Sequence, residues 1–149
     1  MELNRHISRR LHEEHEATLA LWSRLEASLA ANRLDAALLE NAAGALAHEL
    51  DRHFAFEEEE LFPRLAAAGE ADIGELLEEE HAAIREAGRE FIALVKSDPA
   101  DARLRPLGLE LAERLIAHVQ KEEMSLLPSL DDLLDEETDS ELTSTYAAV

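Results

Sequence analysis

Apolar residues recur every three or four positions over four long stretches of the chain, and this periodicity predicts four helices. The first is expected from about Asn4 to Ala31, stopping near Asn32. The second starts after Asp35, whose side chain suits an N-cap, and runs to Ala68 before Gly69. The third covers about Ala71 to Lys96 and ends ahead of the turn Ser97, Asp98, Pro99. The fourth begins near Asp101, accepts Pro106 in its first turns and runs to about Leu134. Pro63 is expected to kink the last turn of the second helix, since it lacks an N–H and its ring crowds the preceding turn. Four long helices with short connections predict an all-α fold, an up-down-up-down antiparallel four-helix bundle over residues 1–135. The polar run 136–149 is expected to be a loose C-terminal tail.

Two of the predicted inward faces are not apolar throughout. In the second helix the face reads Leu46, Leu50, His53, Glu57, Leu61, and in the fourth it reads Leu111, Leu115, His118, Glu122, Leu126. The segments HFAFEEEELFPRL and HVQKEEMSLLPSL share His, Glu, Leu, Pro and Leu at the same offsets, 65 residues apart. The first and third helices each add an imidazole, His15 in EEHEATLALW and His81 in EEHAAI, 66 residues apart. The chain is therefore predicted to be two copies of one helical hairpin, each sending His, His and Glu into the interior.

Composition narrows what such an interior can do. The 149 residues contain no cysteine, which excludes disulfides, thiolate catalysis and thiolate metal sites. Fourteen Lys and Arg against 34 Asp and Glu give a formal charge of −20, a surface that repels nucleic acid and anionic membranes. Much of that acidity is the expected solvated face of Glu-rich helices. No run approaches the roughly 18 apolar residues of a membrane span, and MELNRHISRR lacks the apolar stretch of a signal peptide. A soluble cytoplasmic protein is the expectation.

Burying an imidazole or carboxylate without a partner costs several kcal/mol. A lone histidine on an apolar face is usually a hydrogen-bonded core residue. Four imidazoles and two carboxylates at one repeated spacing are harder to satisfy that way, and a pair of metal ions resolves the problem. Imidazole and carboxylate suit iron or manganese, with zinc also possible, and carboxylates bridge ions held roughly 3.5 Å apart. Two rival patterns fail on spacing. A ferritin-like site needs Glu-x-x-His twice, and of the inward histidines only His81, with Glu78, fits; a zinc protease needs His-Glu-x-x-His, and HEEH at 12–15 is one residue short.

In combination, the paired His and Glu of the second and fourth helices, the Pro six residues beyond each Glu, and the lone His of the first and third resemble the hemerythrin-like (HHE cation-binding) family over about residues 8 to 130. The resemblance implies a non-heme di-iron site that meets dioxygen or a related diatomic such as nitric oxide. It implies His15, His53, Glu57, His81, His118 and Glu122 as metal ligands, with Glu57 and Glu122 as bridges. The implied role is binding or sensing; a redox enzyme removing oxygen or peroxide or repairing iron centres, and an iron store or donor, are the alternatives. Oxygen carriers of the family place a second His one turn after the third-helix His, where this chain has Arg85, and a guanidinium cannot ligate a metal. They also take the fourth-helix acid one residue later, at the position of Glu123. The spacing of four from His118 favours Glu122 and leaves Glu123 solvated. Arg85 either forms an ion pair beside the site or lies on the surface. His6 and His48 are expected to face solvent, and His12, one turn before His15, to pack at or near the surface, a replacement ligand or a partner of the ligands being the alternatives. Trp22 is expected inside, filling the space that Gly88 leaves open, the alternative being that Gly88 merely permits a tight helix crossing.

Overall fold

The computed structural model describes residues 2–148, and among these no strand occurs. Helix α1 spans His6–Ala30. A second rod begins as α2, Ala36–His48, and continues through a widened turn at Glu49–His53, the short α3 at Phe54–Phe56, a second widened turn at Glu57–Leu61, and α4, Phe62–Ala67. Helix α5 is Ala71–Ser97. The fourth rod is α6, Leu104–Met124, and α7, Leu126–Leu133, broken at Ser125. Asp35 caps α2 as expected, its carboxylate accepting from the Leu38 N–H at 3.1 Å. Both glycine-type stops hold as well: Asn32 at φ 60° and Gly69 at φ 86° take the left-handed conformation.

Pro63 acts differently from the expected kink. It stands in the first turn of α4, just after a π-type turn in which the Phe62 N–H reaches back to the Glu57 carbonyl. Proline tolerates a first turn because its missing N–H is unpaired there anyway. Pro128 sits in the matching place, early in α7 after the break at Ser125. Each repeat thus interrupts its helix between the shared carboxylate and a proline six residues on, by a widened turn at Glu57–Leu61 in one and a break at Ser125 in the other.

Two apolar clusters form the core. One gathers Trp22, Leu29, Leu46, Leu50, Phe91 and Leu111 among others, and the second gathers Ile7, Leu11, Leu61, Leu77, Leu126 and Tyr146 among others. Along α1 the order is Leu11, His15, Trp22, and along α6 it is Leu115, His118, Glu122, so the buried polar residues form a belt between the two clusters. Contacts between α1 and the fourth rod run from Asn4–Asp131 through His15–Glu122 to Leu29–Arg105, one number rising as the other falls. Trp22 is buried as expected and meets Phe91 at 5.6 Å between ring centroids. The indole does not fill the space at Gly88. A Cβ built there would lie 3.1 Å from Leu50 and 3.2 Å from Leu46, so the second rod, not α1, occupies that gap.

The C-terminal segment departs most from expectation. Instead of a loose tail it forms α8, Glu136–Ala148, with Asp139, Leu142 and Tyr146 buried. Its anchor is a cap in trans. No side chain of its own sequence caps α1, and the Asp139 carboxylate accepts instead from the His6 and Ile7 N–H groups at 2.8 and 2.9 Å, while Asp131 accepts from Asn4 and Arg5. A carboxylate there satisfies helix N–H groups that have no partner within the helix and meets the positive end of the helix dipole. Among the described residues no helix is long and apolar enough to cross a membrane.

Replacing Asp139 by Ala removes the acceptors of the His6 N–H, which is partly buried, and of the Ile7 N–H, which is buried. The expected cost is about 2 kcal/mol, read as a lower urea midpoint and as earlier proteolysis of α8. An unchanged midpoint would mean that water caps α1 equally well.

Candidate metal centre

Six side chains from the four rods converge in the polar belt, all of them buried: His15, His53, Glu57, His81, His118 and Glu122. They are the six residues expected from the sequence. They form two quartets that share both carboxylates, His15, His53, Glu57, Glu122 and His81, His118, Glu57, Glu122, and the donor atoms within each lie within 4.8 Å of one another. Either quartet could hold a metal ion. The shared carboxylates divide their oxygens between the two. Glu57 turns one oxygen to His53 Nε2 and the other to His81 Nε2, each at 3.1 Å. Glu122 turns Oε1 to His15 Nε2 at 2.8 Å and Oε2 to His118 Nε2 at 3.0 Å.

These contacts differ from ordinary pairing. His81 Nε2 faces His118 Nε2 at 3.1 Å, two ring nitrogens that repel unless a proton or a cation lies between them. Glu57 Oε1 and Glu122 Oε2 are buried and lack a hydrogen-bond partner, although an imidazole nitrogen is close to each. Atoms gathered around a point without being aimed at one another are what a multi-ligand cation site requires.

Every imidazole presents Nε2 to the centre and Nδ1 to a carboxylate outside it. His15 Nδ1 meets Glu123 at 2.7 Å, His53 meets Glu14 at 3.2 Å, His81 meets Glu58 at 2.7 Å, and His118 meets Glu80 at 2.8 Å. The outer carboxylates obey the repeat. Glu14 and Glu80 each precede the lone His of their hairpin and reach across to the other helix of that hairpin. Glu58 and Glu123 each follow the shared Glu and reach the opposite hairpin. Such partners fix which nitrogen carries the proton and orient the ring.

The outer carboxylates are held in turn. Arg85 donates to both oxygens of Glu58, at 2.7 and 3.0 Å, which settles its alternatives in favour of the ion pair beside the site. Lys121 pairs with Glu80, and His12 with Glu123. Glu123 is therefore half-buried and bonded rather than solvated, and His12 reaches the site through it. His6 and His48 are exposed, as expected. Phe54 stacks on His81, with ring centroids 3.8 Å apart and planes within 3°, and Arg85 lies 5.6 Å from its ring centre.

Burial opposes charge on each imidazole, but the facing carboxylates outweigh it. His15 and His81 are pushed up to about 9 and His118 to about 10, with His53 also well above its ordinary value. Burial likewise works against charge on Glu122, yet His118, His15 and His53 hold its carboxyl well below the usual range. The cluster thus calls for positive charge, supplied by protons on its imidazoles or by cations.

The sequence reading did not single out Glu14, Glu58, Glu80 and Glu123 as partners. The available signal was their repeat: each adjoins an inward His or Glu in both hairpins. Compared with known families, the chain matches the model described as the hemerythrin HHE cation-binding domain over residues 6–130. No curated protein and no solved structure matched.

The raised imidazole values carry a stability prediction. A group whose folded value lies above the unfolded 6.5 stabilises fully below that pH and loses its contribution as pH rises through the folded value, here about 9 to 10. Chelator-treated, metal-free protein is expected to unfold at a lower urea concentration at about pH 9.5 than at about pH 6.5. A midpoint that holds or rises over that interval would contradict the protonated cluster.

Proposed function

Because this chain belongs to the hemerythrin HHE cation-binding domain family, we propose that it is a non-heme di-iron protein that binds or senses dioxygen or a related diatomic such as nitric oxide. One ion would be held by His15 and His53 and the second by His81 and His118, with Glu57 and Glu122 shared between the two. The bundle that carries them is read as up-down-up-down, extended by α8. The observation that carries this reading is the division of the two shared carboxylates, one oxygen toward each imidazole pair. Manganese and zinc suit the same donors.

Bound iron supplies dioxygen-reactive redox chemistry. The protein's own residues set its surroundings. Glu14, Glu58, Glu80 and Glu123 hold the imidazole N–H groups and keep the rings aimed inward. Phe54 covers one side of His81 and keeps water from it. Arg85 neutralises Glu58, so the position at which carriers have a fifth imidazole here supports a ligand instead of acting as one. With two imidazoles in each half, the arrangement favours sensing or redox turnover over reversible carriage. A redox enzyme that removes oxygen or peroxide is the second reading, and the same Arg85 contact favours it.

Fully loaded protein is expected to hold two iron ions per chain, and His53→Ala or His118→Ala to lose bound metal, measured by metal analysis after gel filtration. Two retained ions in both variants would overturn the ligand assignment. Arg85→Ala leaves Glu58 without its cation and is expected to weaken metal binding by roughly 10-fold or more. Optical spectra of the reduced protein before and after oxygen separate the readings. Repeated binding and release without oxidation would favour carriage.

A further inference from the structure

The inner residues and the four outer carboxylates follow the repeat, but the groups that hold those carboxylates do not. Glu58 has Arg85, Glu80 has Lys121 and Glu123 has His12. Glu14 has the phenol of Tyr146, from α8, beyond the 6–130 span of the family match. Tyr146 donates to Glu14 Oε1 at 2.6 Å, and the same oxygen faces His53 Nδ1. The His53 contact is also the longest of its kind, 3.2 Å against 2.7, 2.7 and 2.8 Å for the other three imidazoles. The phenol is well fixed. Its residue is buried, its ring lies 4.7 Å from that of Phe56, the Arg52 guanidinium sits 5.1 Å from its centre, and Arg52 also donates to the Tyr146 carbonyl at 2.6 Å. An exposed Arg10 approaches only the second oxygen of Glu14, at 3.4 Å. The exposed His48 imidazole lies 3.7 Å from Oε1 and the buried Glu49 carboxylate 3.7 Å from His53 Nδ1, both beyond hydrogen-bonding distance.

We propose that Tyr146 is a positioning residue for the metal centre: by sharing Glu14 Oε1 it weakens the hydrogen bond on His53 Nδ1 and makes His53 a poorer electron donor than the other three imidazoles. The inference rests on the metal-centre reading above. An imidazole whose N–H gives a strong hydrogen bond to a carboxylate becomes more basic at its other nitrogen, and a weakened bond does the reverse. Two halves that the inner residues make alike are thereby made unequal. An ion held by His15 and His53 would have one ordinary and one weakened imidazole donor, the difference being set by α8.

The test uses full-length protein loaded with zinc, which is diamagnetic, with ¹⁵N-labelled histidine, and reads the four ring N–H protons by NMR. Tyr146→Phe keeps the ring and its packing but frees Oε1, so the His53 proton is expected to move downfield while those of His15, His81 and His118 stay in place. Glu14→Gln removes the charge and is expected to move the His53 proton upfield. Opposite signs from two substitutions in one chain of contacts are not produced by loosened packing. With iron in place, Tyr146→Phe is expected to lower the reduction potential. A His53 proton that stays put or moves upfield in Tyr146→Phe with zinc bound would overturn the proposal, as would equal movement of all four. Failure of the wild type to bind zinc or iron would instead overturn the metal-centre reading beneath it.

Discussion

Placing carboxylates inside an apolar bundle governs the rest of this structure. Glu57 and Glu122 are fully buried, and an isolated ionised carboxylate cannot be kept there without opposing charge. Four imidazoles surround them, and each imidazole needs a carboxylate behind it to settle which nitrogen faces inward. Those carboxylates lie nearer the surface and draw in Arg85, Lys121, His12 and Tyr146. Charge thus alternates outward from the centre. The apolar clusters above and below exclude water, which strengthens every contact in the belt and raises the cost of removing any one partner.

Symmetry is kept where the charge balance demands it and dropped where it does not. The inner residues recur at 65 or 66 positions, and the outer carboxylates recur with them. Farther out, a carboxylate needs only some donor, and different elements provide one: the next turn of α5, the neighbouring position on α6, the preceding turn of α1, and α8. Asymmetry at that distance leaves the core packing undisturbed, yet it reaches the centre through a single intervening residue.

The inner six could be read from the sequence because they interrupt an otherwise apolar face at helical spacing, and few buried patterns do that. Glu14, Glu58, Glu80 and Glu123 could not be separated from the solvated acids in a chain with 34 Asp and Glu, since a carboxylate pointing half inward leaves no apolar signature. Helix limits near Asn32, Asp35 and Gly69 were legible because one residue's conformation decides each. The widened turns at Glu49–His53 and Glu57–Leu61 were not, because a π-type turn and an α-turn use the same residues. Residues 136–148 were misjudged for a related reason. That segment buries few side chains, and its hold on the bundle comes from Asp139 and Tyr146, whose partners are more than 130 residues away.

That long-range attachment bears on how the protein is made. Helix α1 is synthesised before α8, so the acceptors for its opening N–H groups arrive only with Asp139. Until then the start of α1 must frill into water, and the wall beside His53 has no phenol. Synthesis runs from N-terminus to C-terminus at about 5–20 residues per second, so α1 waits on the order of ten seconds for its final contacts. A nascent chain released early, with the four-rod segment already complete, would carry every candidate ligand and still have an open end.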